Sequence, residues 1–244
     1  MTSPDSRSDH DARVNALLEP LTATLALQDA TVQIPGSDVV LNVTRPVDTD
    51  VLLDQSADDP EQNLPYWAEL WPSGIALAAE IQAQPWIVAG KDTLELGSGL
   101  GITAAVAVAA GANLLATDYA PESLTLTAIT CLRHAGTEPR TLQLNWRQPS
   151  DALLAGHEDG FPVVLAADVL YERRDIEPLL ALFERIVAPN GELWLAEPGR
   201  PPASIFLESA SRQGWVFTTT TWDGPWPDPD DANVVARVHR LRRK

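Results

Sequence analysis

The chain has 244 residues, 45% of them hydrophobic and 21% charged, which allows one large domain or two small ones with material for a sizeable core. Its 17 basic and 34 acidic residues give a net charge of −17. That balance argues against nucleic acid as the main partner and against an anionic membrane surface, because both call for a positive surface that displaces counterions. One cysteine, Cys131, rules out an internal disulfide, and four scattered histidines lack the spacing of a metal site.

The N-terminal MTSPDSRSDH has neither a basic nor an apolar leader segment. The longest nearly apolar run, residues 102–116, falls short of the roughly 18 residues of a membrane span and is broken by Gly111 and Asn113. These features predict a cytoplasmic protein. Residues 1–70 hold 13 acids and 3 bases, whereas residues 237–244 carry five positive charges, predicted to be a solvated strand end.

In chain order, the first ten or so residues are predicted flexible and helical spacing covers residues 11–27. Strands at 30–34 and 39–47 flank the turn Pro35-Gly36-Ser37, and residues 54–63 form an acidic loop. From Pro72 onward helix and strand alternate. Ser73 is the expected cap of a helix running to about Gln84, before Pro85. Strands follow at 92–96, 113–117, 141–144, 161–167 and 192–196, the last after a Pro189-Asn190-Gly191 turn. Helices are expected at 102–110, 121–135, 176–187 and 202–213. Such alternation predicts an α/β fold, a doubly wound and mostly parallel sheet covered on both faces. The last strands, 215–221 and 233–241, have only a turn-rich DGPWPDPDD between them, so an antiparallel hairpin should close the sheet. Residues 1–62 thus read as an extension of helix plus β-hairpin, and residues 63–244 as the domain that carries the site.

The first strand of that domain runs into Glu95-Leu96-Gly97-Ser98-Gly99-Leu100-Gly101, where glycines permit a sharp turn and close backbone approach to a ligand at a helix start. A dinucleotide fingerprint would want Gly or Ala where Ile102 stands, and Gly90-Lys91 is followed by Asp92, which is no P-loop. Glu95 would repel a pyrophosphate and suit a cationic ligand. Asp118 ends the next strand, where a doubly wound sheet offers an acid to ribose hydroxyls. Glu95, the three glycines and Asp118 together describe a site for an adenosine with a positive neighbour, the chemistry of S-adenosylmethionine.

Three further stretches sharpen this reading: Pro65-Tyr66-Trp67-Ala68-Glu69-Leu70-Trp71-Pro72, Asp168-Val169-Leu170-Tyr171-Glu172, and Glu197-Pro198-Gly199-Arg200-Pro201. Together they resemble the protein-lysine methyltransferases among the class I, seven-strand, Rossmann-like S-adenosylmethionine-dependent enzymes. They are most similar to the electron-transfer-flavoprotein β-subunit lysine methyltransferases and their bacterial relatives. Glu197 departs from that pattern, where the animal members are expected to have Asp. The resemblance spans roughly residues 64–244 and implies cofactor contacts at Trp71, Gly97, Ser98, Gly99, Asp118, Trp146 and Ala167. Trp146 would pack on the adenine, with Asn145 beside it at the base edge. Catalytic roles are implied for Asp168, which would orient the acceptor amine, and for Tyr171, an aromatic wall with a hydroxyl near the sulfonium. Trp67, Glu172, Glu197 and Arg200 are the expected acceptor-binding residues. The implied partner is a protein substrate, with the electron transfer flavoprotein β subunit as the named candidate. A small-molecule amine N-methyltransferase and a catalytically silent binding module remain alternatives at this point.

Overall fold

A computed structural model describes residues 4–49, 52–53 and 64–244 of the chain. The loop expected at 54–63 lies outside the described residues. Helix α1 (Pro4–Thr22) begins earlier and ends sooner than helical spacing suggested. Its end is set by competition, because residue 27 belongs to a strand rung opposite Pro46. The Thr22 and Thr24 hydroxyls donate to the carbonyls of Glu19 and Leu21 in the last turn. Strands β1 (Leu27–Gln33) and β2 (Val40–Pro46) pair antiparallel in a sheet of their own. Val32, Leu41 and Val43 are buried in the same cluster as Leu126, Ile129 and Leu132 of a later helix.

The main sheet follows from β3 (Asp92–Leu96), β4 (Asn113–Asp118), β5 (Arg140–Gln143), β6 (Phe161–Ala167), β7 (Val187–Glu197), β8 (Trp215–Trp222) and β9 (Ala236–Arg243). Its order is β5-β4-β3-β6-β7-β9-β8. The first five are parallel, and β9 runs antiparallel to both β7 and β8. Helices α2 (Pro72–Ala83), α3 (Ile102–Ala109), α4 (Pro121–Ala135), α5 (Ile176–Ile186) and α6 (Pro201–Arg212) connect them. Strand alternation sorts the core into two layers. Val163, Leu165, Trp194 and Ala196 face α2, α3 and α4, whereas Leu94, Leu96, Val164 and Leu195 pack with Phe183 and Phe206 of α5 and α6.

Two expectations are corrected. The cap of α2 is Trp71, not Ser73: Pro72 takes the first helical position, where its missing N–H costs nothing, and Ser73 is buried one residue inside. The Pro189-Asn190-Gly191 turn does not precede a strand but lies within β7. Phe161 pairs with Val187 while Val163 pairs with Glu192, so the turn residues bulge out of register. Gly191 belongs there, since a Cβ would come within 2.7 Å of the Phe161 carbonyl oxygen.

Strand order reverses around β3, whose neighbours β4 and β6 leave toward opposite edges. Open α/β sheets hold ligands in the crevice at the carboxyl ends of strands beside such a reversal. The site lies at that place.

Candidate active site

A cavity of about 450 Å³ opens over the carboxyl ends of β3, β4 and β6, within the size range of ligand pockets. Its floor is the glycine turn. The N–H groups of Gly97 and Ser98 both donate to the Thr117 carbonyl, at 2.9 and 3.0 Å. Gly97 and Gly99 have φ of +70° and +54°, in the left-handed region that an L side chain rarely adopts. Both line the cavity.

Asp118 shapes this turn as well as facing the cavity. One carboxylate oxygen accepts from Gly99 N at 2.9 Å and the other from Ala120 N at 3.0 Å. Burial pushes its pKa up, opposed by those backbone donors. Each oxygen has a further lone pair to offer a ligand hydroxyl.

Trp146 stands at one wall. Its ring lies 3.5 Å from where a Gly97 Cβ would be, and its Nε1 donates to Asp175 Oδ1 at 3.1 Å. Asp175 is fully buried and also takes Arg147 Nε at 2.6 Å. Asn145 and Ala167 line the cavity too, and the Asn145 side chain accepts from Arg147 N at 2.9 Å.

The other end is aromatic and acidic. Tyr66, from the strap before α2, meets Tyr171 edge-on at 5.0 Å and Trp71 at 6.0 Å, while Trp146 and Tyr171 are 6.2 Å apart. The Trp71 indole N–H holds the Tyr66 carbonyl at 2.7 Å, which braces the strap. Asp168 lines the same cavity; its side chain is 8% exposed and its Oδ2 is buried without a hydrogen-bond partner. Asp168 is the one non-glycine among the described residues with positive φ, +57°, a conformation Asp tolerates better than most. Burial raises its pKa, with Arg200 and Ser73 pulling it back down. Burial likewise pushes the Tyr171 phenol up, as does nearby Asp175, so its proton stays in place at neutral pH. A buried carboxylate and π faces in one cavity can receive an organic cation.

The predicted residues Trp67, Trp71, Gly97, Gly99, Asp118, Asn145, Trp146, Ala167, Asp168, Tyr171 and Arg200 all line this cavity. Glu95, Ser98, Gly101, Glu172 and Glu197 do not line it. Gly101, at φ +80°, is a packing glycine: a Cβ would come within 2.6 Å of Thr127 Cα on α4. Ser98 is buried, and its Oγ accepts from the Thr127 hydroxyl at 3.0 Å. Glu172 pairs with Arg174, and Glu197 accepts from Arg200 N and meets His239 Nε2 at 3.2 Å. Both hold neighbouring loop and strand residues rather than the wall. Tyr66 and Asp175 escaped the sequence reading. Tyr66 belongs to the segment Pro65–Pro72, and only its packing against Tyr171 gives it a place. Asp175 is fixed by contacts that no spacing announces.

Glu95 sits beneath the turn, 2% exposed, with Oε2 unpartnered. Burial first, and Asp118 second, raise its pKa well above the ordinary 4.5. The folded chain therefore keeps a proton that the unfolded chain releases near that value, and stability should fall as pH rises through the folded pKa. Denaturant titrations from pH 4 to 9 should show that slope in the native protein and a shallower one in Glu95→Gln. Parallel profiles would mean that Glu95 is ionised when folded.

Among the described residues no helix is long and apolar enough to cross a membrane, and no group of three or more His, Cys, Asp or Glu is arranged to hold a metal ion.

The architecture is that of the class I methyltransferases. A TehB-like SAM-dependent methyltransferase from Corynebacterium glutamicum superposes with a TM-score of 0.50 at 19% identity, over 72% of this chain and 91% of that one. TrmN from Thermus thermophilus does so with a TM-score of 0.53 at 17% identity, over 70% and 49%. Sequence narrows the class: residues 61–213 match the lysine methyltransferase family model, and the chain belongs to that family. It is 30% identical to the electron transfer flavoprotein beta subunit lysine methyltransferase of Rattus norvegicus over 69% of this chain and 63% of that protein. The Homo sapiens counterpart is also 30% identical, over 64% and 63%. Protein-lysine methyltransferase METTL21E of Mus musculus is 31% identical over 50% and 52%. The chain thus spans less than two thirds of the length of these relatives.

Proposed function

We propose that this chain transfers a methyl group from S-adenosylmethionine to the ε-amine of a lysine in a partner protein. The observation that carries the reading is the pairing, in one cavity, of a glycine cradle beside Asp118 with a buried, unpartnered Asp168 oxygen and the aromatic side chains of Tyr66, Trp71 and Tyr171. The cradle fits the cofactor's adenosine, since a Cβ at Gly97 would already press on Val169 and Trp146 and one at Gly99 on the Trp67 carbonyl, all in the cavity wall, and Asp118 can accept from a diol. Trp146 and Asn145 would flank the base. Bound there, S-adenosylmethionine supplies an electrophilic methyl group on a sulfonium. Residues 63–244 would form the methyltransferase unit and residues 1–62 its extension.

The protein's own part is binding and aim. A free lysine titrates near 10.4 and arrives as an ammonium. Asp168 attracts that charge and directs the amine, while Tyr66, Trp71 and Tyr171 provide π faces and exclude water. The Tyr171 phenol, holding its proton, acts as a hydrogen-bond donor or acceptor and not as a base. The names of the rat and human relatives make the electron transfer flavoprotein β subunit the first acceptor to test.

Purified protein should be incubated with methyl-labelled cofactor and either that subunit or a lysate of the source cells. A labelled protein band, with the label on lysine, is the expected result. Label found only in small molecules would overturn the protein acceptor, and failure to bind cofactor in calorimetry would overturn the whole reading.

A further inference from the structure

Arg200 caps the start of α6 and reaches back over the acceptor end of the cavity. Its Nε stands 3.2 Å from Asp168 Oδ1, yet that Nε makes no hydrogen bond, so the pair is held by charge without aligned donors. The guanidinium carbon lies 5.4 Å from the Trp71 ring centroid, within cation–π reach. The Arg200 side chain is 37% exposed against 8% for Asp168. Its backbone, in contrast, is fixed, because Glu197 Oε2 accepts both Gly199 N and Arg200 N. The groups that act on Asp168 are Arg200, Ser73 from α2 and Glu197 at the end of β7. A part-exposed cation on a fixed backbone thus faces a buried carboxylate.

We propose that Arg200 is a positioning residue that stands in the acceptor ammonium's place beside Asp168, keeps that carboxylate ionised and yields it when the acceptor's own cation arrives. The inference deepens the proposed function, on which it rests for the identity of the incoming cation. The pair makes no aligned hydrogen bond through Nε and Arg200 is part-exposed, so one cation can replace another while Asp168 stays compensated throughout. A neutral amine offers no such exchange, because displacing Arg200 with it would strand a buried charge. Loading therefore selects the protonated lysine. Asp231, in the loop before β9, also feels the positive charge of Arg200 and offers the displaced guanidinium a second anion.

The test uses the full chain without cofactor, carrying carboxyl-labelled aspartate, with Asp168→Asn to assign the Asp168 signal. Removing an opposite charge at this range should move a carboxyl midpoint upward by about 1–3 pH units. That rise is expected in Arg200→Gln, and Arg200→Lys should return the midpoint toward the native value. A midpoint unmoved in Arg200→Gln, or raised equally in Arg200→Lys, overturns the proposal. Added n-butylammonium, a mimic of the lysine side chain, should shift the Arg200 Nε resonance saturably, and a resonance indifferent to it overturns the exchange. With a methylated acceptor in hand, the acid limb of kcat/KM should move with the Asp168 midpoint in each variant. Should no acceptor be methylated while the midpoints move as expected, the coupling of Arg200 to Asp168 stands and the methyl-transfer reading falls.

Discussion

Asp168→Asn is expected to lower single-turnover methylation by about 10²-fold or more while leaving cofactor affinity within about twofold. Asparagine suits the position, because it is among the few side chains that accept the left-handed conformation that Asp168 adopts at φ +57°. The backbone hydrogen bond from residue 168 N to the Ala196 carbonyl, 2.9 Å, is untouched. What the substitution removes is charge, and with it the pull on an ammonium and the partner of Arg200. Stability supplies an independent check. The Asp168 carboxyl titrates above its ordinary 3.8 because it is buried, so native stability should decline as pH rises through the folded pKa. The asparagine variant should show a shallower decline. Near-normal turnover would move the orienting role to another group. A loss of cofactor affinity equal to the loss of rate would place Asp168 at the cofactor end instead.

The cofactor end was the more legible in the sequence, because its chemistry is local. A glycine turn between strand and helix, with an acid closing the next strand, follows from spacing and sheet topology alone, and Gly97, Gly99 and Asp118 converge as expected. Glu95, Ser98 and Gly101, expected in the site from the same stretch, do not line the cavity. Proximity in sequence put them in the site, but strand alternation turns Glu95 under the turn, and contact with Thr127 takes up Ser98 and Gly101. The acceptor end is assembled from segments roughly a hundred residues apart. The Tyr66–Tyr171 contact and the Asp175 brace on Trp146 depend on how the strap and the start of α5 fold over the sheet. No periodicity encodes either. Helix and strand identities were legible throughout the main sheet, and the β7 bulge was hidden because a turn signal there could equally begin a strand.

Asp118→Ala is expected to weaken cofactor binding by at least about 2–3 kcal/mol, because it removes charged hydrogen bonds to the ligand and also the anchor of the turn that cradles it. The second loss is specific to this geometry. Gly99 N and Ala120 N each give up a carboxylate acceptor, at 2.9 and 3.0 Å, and Gly99 is then free to leave the φ of +54° at which its face lines the cavity. Asp118→Asn separates the two contributions. The amide keeps an acceptor for only one of the two backbone donors and turns an NH₂ toward the other, so its affinity should fall between those of the native protein and the alanine variant. Calorimetry on all three, with thermal unfolding as the control for folding, gives the order. Equal affinity in native and alanine proteins would remove Asp118 from the cofactor site. Equal loss in both variants would assign the effect to charge alone, with no share for the shape of the turn.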